Sequence, residues 1–378
     1  MSVHISSVGM GRYGKRPEGQ IDLAAEAAEI ALEGIGRRPI DLLVAGSMFS
    51  HGPHGPEALL PRLASRLGLE SAAGFRVDSA SGTGGMAFHE AVVALESGRF
   101  ERALVVATEK MTDRSTAAVT RALAASLHPS EVAAGATMPG LAAIVTQRYL
   151  ERYGRTTDIL DAASVHDRAG AARNRAAQFQ TPVTAEEVAK SRLVSTPLRL
   201  LHCSAISDGA TALVVERGTG PATVVGIGQG FEALRISDRD DLTTFAATRI
   251  AAKRAYENAR LSAKEIDVAE VHDAFSPFLY VHAEDLGFSE PGKGADALAN
   301  GDFAPEGRIP LNPSGGVIGR GHPVAASGLA EVGEAALQLR GEAGAHGVAR
   351  RPRVALAQAM SGIGTHNFVT ILAREEAP

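Results

Sequence analysis

Cysteine occurs once in the 378 residues, as Cys203, and a lone thiol cannot close an internal disulfide. A reducing, cytoplasmic setting is therefore the expectation. Clustered charge is also missing. The 38 basic and 43 acidic residues leave a net charge of −5, without the Lys/Arg concentration of a nucleic-acid surface. Long apolar runs are absent too: stretches such as 103–107 fall far short of the ~18–20 residues that cross a bilayer. The start, Met1-Ser2-Val3-His4, enters an apolar alternation directly, so no secretory leader is expected. The end, Arg374-Glu375-Glu376-Ala377-Pro378, is not a peroxisomal address. Histidines do not form helical ligand pairs with acidic neighbours, so no metal is expected. These absences argue against nucleic-acid and membrane partners.

What remains is a globular composition, 45% hydrophobic and 21% charged. The length exceeds one ordinary core, at about 100–200 residues per domain, and points to two halves. Many of the 41 glycines gather at 82–85, 315–321 and 362–364. Each cluster lies between an apolar run and the next element, where glycine permits positive φ and close backbone approach to a ligand.

Short β-type runs alternate with helical patterns. Residues 4–8, 42–45 and 103–108 read as strands, and 23–32 and 87–95 as helices, which implies an α/β fold with a buried sheet. The order then repeats. Ile5-Ser6-Ser7-Val8-Gly9 matches Val224-Val225-Gly226-Ile227-Gly228, and residues 40–49 match 266–275. A Gly-rich turn and helix follow in both halves (81–95 and 315–339), then an apolar strand (104–107 and 354–357). Four matches in one order argue for an internal duplication, dividing the chain into 1–220 and 221–378. An Ala- and Arg-rich helical segment, about 112–194, is inserted before the first half ends at 211–215. Its arginines, Arg148, Arg152, Arg155, Arg168, Arg173 and Arg175, either meet phosphates bidentately or line a solvated face.

Three turns carry residues suited to chemistry. In Val77-Asp78-Ser79-Ala80-Ser81-Gly82-Thr83-Gly84-Gly85 a strand ends and a Gly-rich turn opens a helix. A side chain there sits over unpaired N–H groups that favour a developing anion, a place for a nucleophile and an oxyanion hole. Ser81 could equally be a plain helix cap. In Glu270-Val271-His272-Asp273-Ala274-Phe275 a histidine stands at a strand end, able to act as acid, base or hydrogen-bond donor. In Gly315-Gly316-Val317-Ile318-Gly319-Arg320-Gly321-His322-Pro323-Val324-Ala325-Ala326-Ser327-Gly328 glycines flank a second histidine at a helix start. Neither a Walker pattern nor a strand–GxGxxG–helix unit is present.

These segments resemble the thiolase superfamily over essentially the whole chain, above all its archaeal-type and sterol-carrier-protein-associated members. The Gly-Gly-x-x-x-x-Gly-His-Pro-x-x-Ala-Ser-Gly run is similar to that family's histidine motif, and Val271-His272-Asp273-Ala274-Phe275 to its His-Asp-x-Phe motif. Ser361-Gly362-Ile363-Gly364 is similar to its C-terminal turn. The resemblance implies a five-layer αβαβα fold from two duplicated halves with an inserted helical loop domain. It implies an acyl-CoA C-acyltransferase, working by thiolytic cleavage or Claisen condensation, with coenzyme A as co-substrate and no bound cofactor. It places Ser81 at the nucleophile position, His322 at the activating histidine and His272 at an oxyanion site. It implies further that backbone N–H groups of Ser81, Met360 and Gly362 form a second oxyanion hole and that Gly316 and Ser327 bind substrate. It also implies a homodimer or tetramer, with a small zinc-binding OB-fold protein as a further partner.

Two departures bear on chemistry. The family nucleophile is cysteine, and a serine hydroxyl is far less acidic than a thiol and needs a positioned base. The second cysteine that moves a proton at carbon is also absent, with Ala274 in its place in the His-Asp-x-Phe motif. Proton transfer at carbon would then fall to His272 or His322. Ser81 thus marks either an inactive or trapped form of the acyltransferase or a site turned to another acyl reaction. Two other readings stand beside these. One is a retro-aldolase acting on a β-hydroxyacyl-CoA, with Tyr280 near the His272 strand. The other is a non-catalytic partner subunit.

Overall fold

The computed structural model describes residues 2–36, 38–49 and 58–374. Burial in β1 (Val3–Met10) alternates residue by residue, the period of a strand with one face on a core. Then come α1 (Gln20–Glu33), β2 (Leu42–Gly46), α2 (Leu59–Leu67), β3 (Ala73–Val77), α3 (Thr83–Glu96) and β4 (Arg102–Glu109). The insertion holds α4 (Thr116–Ala124), α5 (Pro129–Ala133), α6 (Met138–Tyr153), α7 (Asp158–Ala171), α8 (Ala185–Lys190) and a small hairpin, β5 (Leu193–Ser195) with β6 (Leu198–Arg199). The first half closes with β7 (Gly209–Arg217). The second half runs β8 (Thr223–Phe231), α9 (Ala246–Ala259), β9 (Val268–Val271), α10 (Phe278–Asp285), α11 (Gly294–Ala299), α12 (Gly316–Arg320), α13 (Val324–Arg340), β10 (Val354–Ser361) and β11 (His366–Ala373).

The strand order is β3-β2-β4-β7-β1-β8-β11-β10-β9, and the duplication shows in its directions. β2 is parallel to β4, β4 antiparallel to β7, and β7 antiparallel to β1. Likewise β9 is parallel to β10, β10 antiparallel to β11, and β11 antiparallel to β8. The counterpart of β3 is reduced to one parallel bridge, Ala269 to Leu311. The halves join where β1 meets β8 at Val3–Val224 and His4–Thr223.

Strand alternation sorts the side chains into layers. Leu104 and Val106 of β4 face α1 with Leu23, Ala27 and Ala31, while Ala103 and Val105 face the middle of the molecule. That middle layer is α3 and α13, which pack on each other and on both halves of the sheet. Beyond the second half, Leu356 and Ile371 meet α9 and α10. The result is a five-layer αβαβα order, to which the inserted helices α4–α8 are added.

The outer helices approach their strands in the same way in both halves. A Cβ at Gly9 would fall 2.0 Å from the Ala27 oxygen and 2.6 Å from the Ala31 nitrogen. At Gly228 the distances are 2.1 Å to the Ala251 oxygen and 2.6 Å to the Ala255 nitrogen. The central pair is as close: a Cβ at Gly84 would lie 2.2 Å from the Leu329 nitrogen. Gly84→Ala is therefore expected to pry α3 from α13 and cost about 1–3 kcal/mol. Urea unfolding reads it as a lower midpoint at unchanged m-value; an unmoved midpoint would show that the helices part without strain.

The insertion's arginines do not act as one set. Arg155 grips the Asp296 carboxylate with two bonds of 2.6 and 2.7 Å, and Arg148 pairs with Glu151 at 2.6 Å. Arg168 lies over the Phe179 ring, 4.2 Å from its centroid. Among the described residues no helix is long and apolar enough to cross a membrane.

Candidate active site

The turn between β3 and α3 is built by its own side chains. Asp78 accepts the Ala80 N–H at 3.0 Å, and Thr83 accepts the Ser79 N–H at 2.8 Å and donates to the Ala80 carbonyl at 2.6 Å. Ala80 is held at φ +46°, a left-handed conformation costly for a residue with a Cβ. Ser81 is not a helix cap. Its hydroxyl donates 2.8 Å across to the Met360 carbonyl, at the end of β10. The turn after β10 reaches back: Ser361 Oγ accepts the Gly82 N–H at 3.2 Å and donates to the Ser79 carbonyl. Ser79 Oγ lies 2.9 Å from His366 Nδ1. The two Gly-rich turns, distant in sequence, are thus laced together.

β9 lies beside β10, Val271 opposite Gln358, so the residue after β9 emerges near the same turn. That residue is His272. Its N–H donates to Gln358 Oε1 at 2.9 Å, and its Nδ1 lies 2.8 Å from Glu331 Oε1 on α13. Its Nε2 is enclosed and has no hydrogen-bond partner. The His322 ring meets the His272 ring edge to face, centroids 5.1 Å apart. His322 is held by Ser207, which accepts its N–H at 2.9 Å, and by Ser327, 2.8 Å from its Nδ1. Ser327 points its own proton at the Pro323 carbonyl. This assigns Nδ1–H of His322 as donor and leaves the lone pair on Nε2. Burial, helped by the charges of His272 and Arg320, pushes His322 well below the usual imidazole value, so it stays neutral.

The structure thus joins Ser81 to Met360, and His272 to His322, around the ends of β9 and β10. Other sequence expectations fall elsewhere. Ser327 is buried behind His322, where it holds the ring. Gly316 is buried at the start of α12, where a Cβ would strike Asn312 and Asp273 at 2.6 Å. What Met360 presents to Ser81 is a carbonyl, not an N–H. Gly362, at φ +59°, borders a cavity of about 830 Å³ beside the turn, with Ser79, Phe231 and His366, and neither His272 nor His322 lines it. Cys203 bridges to Phe275 through the backbone, and burial pushes its thiol up to about 12, an unreactive state. Tyr280 turns away: its hydroxyl donates to the Ile159 carbonyl at 2.7 Å.

Behind the histidines lies a polar network the motifs did not announce. Arg320 is fully buried, donating to Ser314 Oγ at 2.8 Å and standing 3.6 Å from Glu270. Ser314 in turn donates to Glu270 at 2.6 Å. Glu334 receives Asn174 and His346, each at 2.8 Å. Burial pushes Glu270 up to about 8 and also raises Glu331, against the pull of Arg320 on the first and of His272 and Arg320 on the second. Glu331 stands four residues after Ser327, one helical turn along α13, and that spacing was the available signal.

Two related α/β halves enclose a shared helical pair, with the Ser81 turn and His272 near the ends of β10 and β9 and His322 just before α13. Family models agree: the thiolase N-terminal domain matches residues 10–218 and the thiolase C-terminal domain-like model residues 228–374. An acetyl-CoA acetyltransferase of Methanothermobacter thermautotrophicus is 38% identical over 333 residues, 85% of this chain and 86% of that protein. Among solved structures, an Ltp2-ChsH2(DUF35) aldolase superposes with TM-score 0.83 at 25% identity, covering 99% of this chain and 98% of that one. Human mitochondrial 3-ketoacyl-CoA thiolase follows at TM-score 0.75 and 17% identity, covering 99% of both chains. The chain belongs to the thiolase family.

Proposed function

We propose that the protein is an acyl-CoA C-acyltransferase of the thiolase type, with Ser81 at the nucleophile position and coenzyme A as co-substrate. The observation that carries this reading is the gathering of the Ser81 turn, His272 and His322 around the ends of β9 and β10. In the cleavage direction Ser81 Oγ attacks the 3-oxo carbon of a 3-oxoacyl-CoA, and its proton passes to His322 Nε2. The C2–C3 bond breaks, its electron pair takes a proton, and the two-carbon CoA thioester, acetyl-CoA, leaves. The acyl group remains on Ser81 as an ester until a CoA thiol accepts it and the hydroxyl recovers its proton.

The weak point is the serine. Its proton is engaged by the Met360 carbonyl and must be redirected to His322 before attack. A cysteine at this position would supply about 3% thiolate at pH 7 without any base. Ser81→Cys is expected to raise both rate and extent of acylation by acetyl-CoA and acetoacetyl-CoA, read by intact mass and free CoA. If neither form gains an acetyl group, the acyltransferase reading falls.

A second reading, a retro-aldolase acting on a β-hydroxyacyl-CoA, gains from the same Ser81–Met360 bond, which leaves the hydroxyl unprepared for attack. The structurally similar Ltp2-ChsH2(DUF35) protein is an aldolase. Against a tyrosine-based version, the hydroxyls of Tyr13, Tyr149, Tyr256 and Tyr280 are engaged by Thr211, Glu284, Leu286 and Ile159. Cleavage of a β-hydroxyacyl-CoA without acylation would decide for the lyase. Inertness to both substrates would leave a non-catalytic subunit. For assembly, the β3 edge, exposed at Ala73 and Gly74, supports a homodimer or tetramer. The similar Ltp2-ChsH2(DUF35) aldolase, whose name pairs Ltp2 with a DUF35 protein, supports a small OB-fold partner.

A further inference from the structure

The two imidazoles are held by one face of one helix, but by unlike groups. Ser327 and Glu331 stand one turn apart on α13 and therefore project to the same side. Ser327 gives His322 a neutral hydroxyl, whereas Glu331 gives His272 a carboxyl group. The difference is chemical. A carboxylate on Nδ1 stabilises the imidazolium that forms when the other nitrogen takes a proton, as in the acid–histidine pair of a catalytic triad. A hydroxyl offers no such charge. His322 is therefore suited to polarise and to accept briefly, and His272 to carry a proton through a step.

His272 Nε2 is enclosed without a hydrogen-bond partner, and a buried polar atom left unpaired is costly unless something completes it. Ala274, three residues from the nearest strand end, offers no thiol, and Cys203 is occupied by the Arg199 carbonyl at 3.4 Å. The groups that face His272 are Glu331 from α13, Arg320 behind that carboxylate from α12, and His322 across the ring edge. Asp273 from the adjacent position and His282 from α10 complete the set.

We propose that His272 is the acid–base group that moves the proton at the carbon next to the thioester, with Glu331 as its positioning residue. This rests on the acyl-CoA reading of the site. In the condensation direction His272 Nε2 takes the proton from that carbon, and the C–H electron pair passes into the enolate of the thioester. The imidazolium is then stabilised at Nδ1–H by Glu331. In the cleavage direction His272 starts as the imidazolium: its Nε2–H gives the proton to the pair released from the broken C–C bond, and the CoA thiol that later accepts the acyl group restores that proton.

The test is deuterium wash-in. The protein is incubated with acetyl-CoA in D₂O, and label at the thioester methyl is followed by mass spectrometry across pH, with binding of acetyl-CoA measured in parallel. Exchange is expected in the unaltered protein, with His272→Gln slowing it about 10²–10⁴-fold. Glu331→Gln keeps an acceptor for Nδ1–H but removes the charge. It is expected to lower kcat for exchange about tenfold at unchanged KM and to move the acid limb of the rate profile to lower pH. A merely structural Glu331 would leave the limb in place, and thermal melting separates misfolding from loss of exchange. Exchange that survives His272→Gln and disappears in His322→Gln overturns the proposal alone. No exchange in a protein that binds acetyl-CoA overturns it as well, and no binding overturns the acyl-CoA reading together with it.

Discussion

Arg320→Met is expected to destabilise the protein by about 3–5 kcal/mol, because it removes one side of a buried ionic cluster and leaves the other. That is a large part of a typical total of about 5–15 kcal/mol. Arg320 has no exposed surface, and burial disfavours its charge, but Glu270, Glu334 and Glu331 outweigh that and keep it protonated. Without it, Glu270 faces only Ser314, in a space too enclosed to admit water freely. Equilibrium urea unfolding measures the loss. A double variant, Arg320→Met with Glu270→Gln, is expected to recover a good part of it, since neutralising both partners costs less than orphaning one. A single-variant loss below about 1 kcal/mol would show that the carboxyl groups take up protons and do without the guanidinium.

His322→Gln is expected to slow acylation at position 81 by about 10²–10⁴-fold, the contribution of a positioned general base. The glutamine amide N–H can still donate to Ser327 as the Nδ1–H does, but it offers no basic nitrogen. The pH dependence follows from the direction of the shift. Burial, first, and the charges of His272 and Arg320 hold His322 well below its ordinary value. Its neutral, accepting form therefore persists as pH falls through 6.5, and the acid limb of the acylation rate lies below that pH. The same direction makes it a weaker base, which a thiol at position 81 needs less than a hydroxyl does. An acid limb at 6.5 or above, or a loss under tenfold, would transfer the role of base to another group.

Most of the fold was legible because it is periodic. Apolar alternation in residues 4–8 and a continuous apolar run in 103–108 gave β1 and β4 nearly to their ends, and the echo of Gly9 in Gly228 marked a duplication that the sheet directions repeat. The missing counterpart of β3 was not legible. Leu311 makes only a single bridge to Ala269, and one paired residue leaves no period to read. In the site, Ser81, His272 and His322 stood out because each ends a strand or opens a helix beside glycines. Glu331 did not, because a glutamate inside an amphipathic helix looks like any solvated face until another element covers it.

By itself the sequence determined the two α/β halves, the insertion within the first of them and the three turns that carry the candidate chemistry, because these depend on local spacing and backbone freedom. Only the tertiary structure decided the partners. It directed the Ser81 hydroxyl to Met360, gave His272 a carboxylate and His322 a hydroxyl, and buried Arg320 among three glutamates. The physical reason is that the Ser81–Met360 and His272–Glu331 bonds join residues 279 and 59 positions apart along the chain, and no local pattern encodes the distance between such segments.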